Sequence, residues 1–308
     1  MHNISKYFHL NATYNDHRIK TNHRQGVLDV AMKARESILP KEQDVSFFKE
    51  NGYWVSPVIF SADELAEIIE HQDRMYKGIY ETGREPVCNW LETQDHPRAL
   101  RKTDNSHWSD LTLRKVATHP TIGAMAAKLM EASMIRLFHD QLLYKPGRGT
   151  GKETANVGWH QDYVYWQCCE APTLITAWVA FTDVDLSNGC MQMVPRSHQW
   201  GLLNVNDFFE QNLERQKETM DIPENESFKT VPIVMKAGQV SFHHALTIHG
   251  SGANVTDAPR RSMAIHMMTG DTRYKYDPKG DSHFNARMMQ GREGERFEGD
   301  AWPILYQV

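Results

Sequence analysis

The spacing of apolar and polar residues changes rhythm near residue 134. Before that point, apolar positions recur at helical intervals. Ser61 with Glu64 forms an S-x-x-E capping box, which predicts a helix starting there and running towards residue 78. A second helical block is predicted over 119–131, "HPTIGAMAAKLME". Residues 1–44 are polar and weakly patterned, an expected irregular extension with one helix near "GVLDVAMKARESI". From 45 to 308 the chain reads as a single domain.

After 134 the apolar residues gather in short runs bounded by turn residues. These are "MIRLFHDQLLYKP" (134–146), "TLITAWVAF" (173–181), "CMQMVP" (190–195), "FKTVPIVM" (228–235), "QVSFHHALTIHG" (239–250) and "SMAIHMMT" (262–269). "SNG" at 187–189 is a turn signal before the third of them. One helical insertion is predicted near "NDFFEQNLERQKETM". Helices first and many short strands afterwards give an α+β, mainly β class, with a sandwich or barrel over about 134–270.

Composition narrows the classes of function. A net charge of −5 argues against a general nucleic-acid or anionic-membrane binder. No apolar run reaches the roughly 18–20 residues that span a bilayer, and the N-terminal segment lacks a signal-peptide core. A cytoplasmic protein, monomeric or homodimeric, is the expectation. The four cysteines show no paired spacing and read as free thiols.

The chemistry concentrates in "GWHQDYVYWQ" (158–167). Residues two apart in a strand share a face, so His160 and Asp162 would converge on one point if this stretch is a strand. Imidazole nitrogen with carboxylate oxygen suits hard-to-intermediate divalent metals. A third ligand must come from elsewhere, and His198, His243, His244, His249, His266 and His283 are the downstream candidates.

Five separated motifs occur in an order that resembles the phytanoyl-CoA dioxygenase family. They are "WHQD" at 159–162, "AW" at 177–178, "NGCMQMVPRSHQWG" at 188–201, "IHGSGAN" around His249, and Arg260 eleven residues beyond it; "HDQLLYKP" and "FFKENGYWV" extend the likeness over about 45–270. The resemblance implies a double-stranded β-helix (jelly-roll, cupin-like) core with flanking N-terminal helices. It also implies an iron(II)- and 2-oxoglutarate-dependent oxygenase. His160, Asp162 and His249 then match the iron-binding triad, and Arg260 the arginine that clamps the far carboxylate of 2-oxoglutarate. Ser251 matches the hydroxyl that assists it, and Trp178 and Gln141 fall where the family lines that pocket. Arg261 is the direct rival of Arg260. Read as one unbroken strand, 239–250 gives His244 the opposite parity to His249 and puts His243 about 20 Å from it. His266 reads as a core or pocket histidine on the neighbouring strand. "KAGQV" departs from the family's usual Gly-Asp at Gly238-Gln239, a strand-entry turn.

The implied reaction uses O₂ to oxidise, in the default case to hydroxylate, a C–H bond of a small organic substrate, with succinate and CO₂ as co-products and ascorbate supportive in vitro. Related halogenases carry a small residue in place of the carboxylate, so Asp162 argues against halogenation. The rival class is a non-catalytic jelly-roll binding or regulatory protein that keeps the metal site; a metal hydrolase would leave Arg260 and Ser251 without a role. Tyr163, Tyr165 and Trp166, with Trp90 and Trp108 upstream, suggest a pocket for an apolar or ring-containing molecule. "RALRKTDNSHW" (98–108) is the best basic patch, and it reads as a solvated loop rather than a coenzyme A site.

Overall fold

The computed structural model describes residues 38–97, 99–148, 156–204, 208, 210–276 and 283–308. The helix expected near 26–38 falls outside them but for Ile38, as does the extension over 1–37, whereas at 42–44, expected to be irregular, a helix has already begun. Contacts divide the chain into Met1–Leu39 and a compact unit, Pro40–Val308, which holds all the described helices and strands.

The first helix, α1 (Glu42–Asn51), leads into the short strand β1 (Tyr53–Val55). Helix α2 (Ala62–Tyr76) begins at the expected capping box: Ser61 N–H donates to Glu64 Oε2 (2.7 Å) and Glu64 N–H to Ser61 Oγ (3.3 Å). Its buried residues Leu65, Ile68, Gln72, Met75 and Tyr76 recur at three- and four-residue spacing, which makes one face. Strand β2 (Arg101–Asp104), helix α3 (Leu111–Ala117) and helix α4 (Pro120–Met130) follow. Pro120 at the first turn and Glu131 in the left-handed region (φ 50) set the limits of α4.

The strands beyond are β3 (Met134–Lys145), β4 (Val157–His160), β5 (Leu174–Ala180), β6 (Met191–Met193), β7 (Val231–Pro232), β8 (Val240–His244), β9 (His249–Ser251), β10 (Arg260–Thr269) and β11 (Ile304–Gln307). Helix α5 (Leu213–Glu218) is all that the described residues show of the expected insertion. A seven-stranded sheet runs β1-β8-β5-β10-β3-β11, with β2 also on β3, and faces a four-stranded sheet β4-β9-β6-β7. Every ladder is antiparallel. Two such sheets closing on one core are the expected jelly roll. The core is wider than 134–270, however, because β1, β2 and β11 join the large sheet from outside that span. None of the described helices is long and apolar enough to cross a membrane.

The run 239–250 is not one strand. It breaks after His244 and crosses to the other sheet, where β9 begins at His249. "ALTI" between them has no glycine or proline to signal the turn. The crossing is held instead by tertiary bonds. Gly52 O accepts from His244 N–H (2.9 Å) and from Thr247 Oγ1 (2.8 Å), and Ser197 Oγ accepts from Ile248 N–H (2.8 Å). Gly52 caps α1 at φ 80, and a Cβ there would lie 2.5 Å from the His198 ring and 2.6 Å from Thr247 Oγ1. Gln239 braces the strand-entry turn: its Oε1 accepts from Lys236 N–H (2.7 Å) and its Nε2 donates to Ser56 O (2.7 Å).

Gly52→Ala therefore combines left-handed strain with overpacking, at about 1–3 kcal/mol. Urea denaturation should show a lower midpoint with an unchanged m-value, and an unaltered midpoint would contradict this account of the crossing.

Candidate active site

Strand β4 pairs with β9 so that His160 lies directly opposite His249, with ring centroids 4.1 Å apart. The two imidazoles are thus cross-strand neighbours. Asp162 is not on the strand. β4 ends at His160, and Asp162 opens a 3₁₀ turn, Asp162–Tyr165, which swings the carboxylate back. Shared parity on one strand is therefore the wrong reason for a convergence that does occur. Asp162 Oδ1 is 3.6 Å from Nε2 of His160 and 3.6 Å from Nε2 of His249.

The hydrogen bonds fix which atoms are free. His160 Nδ1 donates to Gly158 O (2.7 Å) and His249 Nδ1 to Thr247 O (2.9 Å). Carbonyl oxygens only accept, so both rings keep an Nε2 lone pair. Asp162 Oδ2 accepts from Thr176 Oγ1 (2.7 Å) and from His243 Nε2 (3.0 Å), which leaves Oδ1 turned to the histidines. Burial works to raise the Asp162 carboxyl, but His249 and the neighbouring hydrogen bonds outweigh it and hold it well below its usual range. Burial, then His160 and His243, holds His249 well below the ordinary imidazole value. Two imidazoles and one carboxylate, 3%, 6% and 6% exposed, present ligand atoms within 4.8 Å of one another. That donor set fits a mononuclear 2-His-1-carboxylate centre with open positions.

His243 is a residue that sequence reasoning misplaced. Because the chain crosses sheets at 245–248, its ring lies 4.3 Å from that of His249, not some 20 Å away. His266 is a buried pocket histidine, as expected, but its strand β10 is separated from β8 by β5 and is not the neighbour of the strand that carries His249. His266 Nδ1 accepts no hydrogen from Asp162 and instead meets Thr176 Oγ1 (2.8 Å), whose one hydrogen serves Asp162, so Nδ1 is the donor. A second acidic group, His71, Glu81 and Asp110, has compatible spacing. Asp110 is already engaged there, capping α3 through Thr112 and Leu113 N–H and bonding His71.

Next to the triad is a narrow cleft lined by Gln141, Trp178, Ser251 and Arg260. Ala264 of β10 pairs with Gln141 on one side and Trp178 on the other, which sets the two on either side of it in the sheet. Arg260 is 3% exposed, donates from Nη1 to Gly189 O and lies over the Trp178 ring at 5.1 Å. Its Nε has no partner. Burial lowers its pKa to about 10, so it stays charged at neutral pH. Arg261 points the other way and forms a two-bond pair with Asp73 of α2 (2.6 and 3.2 Å).

A second cavity of about 310 Å³ reaches two of the three metal ligands, His160 and Asp162. Its walls include Tyr165, Trp166, Phe284, His139 and His266. Tyr163 instead bonds Cys169 O (2.8 Å), Trp90 packs on Tyr76 and Arg101, and Trp108 lies under Arg84. The expected aromatic pocket thus keeps two of its five members. In the basic patch, Arg101 stacks on Trp90 and Tyr144 and Lys102 pairs with Asp104 (3.0 Å).

A jelly roll with this donor set at its mouth defines the class of molecule, and likeness to known proteins gives the family. The phytanoyl-CoA dioxygenase (PhyH) family model matches residues 48–262, and the chain belongs to that family of iron(II)- and 2-oxoglutarate-dependent oxygenases. The peroxisomal phytanoyl-CoA dioxygenase of Mus musculus is 31% identical over 76% of this chain and 70% of its own length. The Homo sapiens protein of that name is 33% identical over 49% of this chain, and the match spans only 44% of its length. Among solved structures, the epimerase SnoN in complex with Fe3+, alpha ketoglutarate and nogalamycin RO is similar at TM-score 0.64 and 27% identity, covering 86% of this chain and 98% of that one.

Thr176→Val removes the hydroxyl that holds Asp162 Oδ2 while keeping the side-chain volume. Iron(II) affinity should fall about 10–100-fold, read by competitive metal titration, with the fold retained by circular dichroism. Unchanged affinity would show that Asp162 is oriented by something else.

Proposed function

We propose that the protein is an iron(II)- and 2-oxoglutarate-dependent dioxygenase that hydroxylates a C–H bond of a small organic metabolite, with succinate and CO₂ as co-products. The observation that supports it best is one buried cleft that joins a 2-His-1-carboxylate set to an arginine without a carboxylate partner. His160 Nε2, Asp162 Oδ1 and His249 Nε2 would hold iron(II). Arg260, with Ser251, would take the far carboxylate of 2-oxoglutarate, for which a planar guanidinium is the best-matched side chain. Trp178 and Gln141 would wall that site. Iron and co-substrate, when bound, supply with O₂ the oxidising power that an unactivated C–H requires, and ascorbate would support turnover in vitro.

The chain's own share is arrangement. Thr176 and His243 fix one oxygen of Asp162 so that the other stays turned to the metal position. Leu143 and Met191 line the cleft with apolar surface, which limits bulk water. The Asp162 carboxylate fills the place that halogenases leave open, which favours hydroxyl transfer. The substrate would lie in the 310 Å³ cavity, of the size usual for small-molecule sites. Burial lowers His266 to about 4 and His283 to about 3, so both are neutral at pH 7. Neutral imidazoles beside Trp166 and Phe284 suit a ring-bearing molecule with hydrogen-bonding groups. The ligands named for SnoN support the same metal and co-substrate.

Succinate release from 2-oxoglutarate with iron(II), ascorbate and air tests the reading, and His249→Ala should abolish it. Arg260→Ala should raise the 2-oxoglutarate KM, at a cost of about 2–5 kcal/mol, whereas Arg261→Ala should leave KM unchanged and lower thermal stability. The reverse pattern would assign the carboxylate to the wrong arginine.

A further inference from the structure

Lys145 ends β3 with 0% exposure. Its ammonium donates to Ser251 Oγ (2.7 Å) and Gly252 O (2.6 Å), and among the described residues no carboxylate pairs with it. Its ladder partner is Arg260, the other buried cation of the cleft, which also lacks a carboxylate. A buried lysine without counter-charge is costly. Burial, with Arg260 as the next cause, pushes its ammonium well below the ordinary lysine range.

We infer that Lys145 is a positioning residue for the far carboxylate of the co-substrate, acting through Ser251. A serine hydroxyl has one hydrogen and two lone pairs, and an ammonium only donates. In its charged form Lys145 therefore occupies a lone pair of Ser251 Oγ and leaves the hydroxyl hydrogen to be donated elsewhere. Ser251 lines the cleft, so its hydrogen can serve an anion there, and an anion so held would favour the charged form of Lys145 that burial and Arg260 otherwise disfavour. The ligand class this favours is a 2-oxo dicarboxylate over a 2-oxo monocarboxylate. The inference rests on the reading of the cleft as a 2-oxoglutarate site.

The test is anaerobic calorimetry on iron(II)-loaded protein, with 2-oxoglutarate and with pyruvate, which lacks the far carboxylate. Lys145→Met should weaken 2-oxoglutarate about tenfold or more and leave pyruvate unchanged. Lys145→Arg should recover most of the affinity. Lys145→Met with Ser251→Ala should lose less than the product of the single losses, because the two act as a unit. Without metal or ligand, Lys145→Met should melt at a higher temperature than the wild type, since an uncompensated buried cation is gone. Wild-type affinity for 2-oxoglutarate in Lys145→Met overturns the inference and leaves the site reading intact. A Lys145→Met protein that melts lower or fails to fold, with Lys145→Arg and Ser251→Ala binding like wild type, also overturns it and makes the lysine a folding element. A wild-type protein that binds no 2-oxoglutarate overturns the site reading itself.

Discussion

A buried charge needs a partner, and this molecule buries charge at both ends of one cleft without supplying the opposite sign. At one end the Asp162 carboxyl, held well below its usual range, lies between the imidazoles of His160 and His249. At the other, Arg260 has no carboxylate partner among the described residues, and Lys145 is its neighbour in the ladder. Desolvating isolated charges costs several kcal/mol each even after relaxation, so such an arrangement makes sense only as half of a complex. A divalent cation answers the first end and a dianion the second. Bound together, they would bring the buried charges of the cleft close to balance.

The fold delivers this through a few cross-sheet bonds rather than through the strands that carry the ligands. His249 faces His160 only because the chain leaves the large sheet after His244 and enters the small one at His249. The bonds that hold this crossing come from Gly52, at the end of a helix nearly two hundred residues earlier, and from Ser197. Thr176, on a third strand, then ties Asp162 to His266, so one hydroxyl links the carboxylate of the triad to the wall of the larger cavity. The same crossing makes His243 a hydrogen-bond partner of the carboxylate, where an unbroken strand would have carried it away.

Local chemistry was legible in the sequence where a short motif dictates it. The Ser61–Glu64 box starts α2, Pro120 starts α4, and the motif order around His160, Asp162 and His249 indicates the family. What was not legible depends on partners distant in sequence. Nothing in "ALTI" announces a turn, because the bonds that make it come from Gly52 and Ser197. The parity argument for Asp162 fails because a 3₁₀ turn replaces the strand. β11 and β2 are too short to stand out by periodicity, and they become strands only because β3 offers both of them an edge. Lys145 lay within a quoted motif, "HDQLLYKP", yet lysine there reads as surface until its burial is seen. The segment 98–108, read as a solvated loop, contains strand β2, and part of the aromatic pocket dissolved into pairwise stacking, which composition does not reveal.

The central claim is that His160, Asp162 and His249 converge on one iron with 2-oxoglutarate held between it and Arg260. Anomalous diffraction at the iron edge, from crystals grown anaerobically with iron(II) and 2-oxoglutarate, tests it most directly. The account predicts one peak ligated by Nε2 of His160, Oδ1 of Asp162 and Nε2 of His249, with the far carboxylate of 2-oxoglutarate on Arg260. A peak ligated by His243 or His266 in place of His249, or at His71, Glu81 and Asp110 instead, would contradict it.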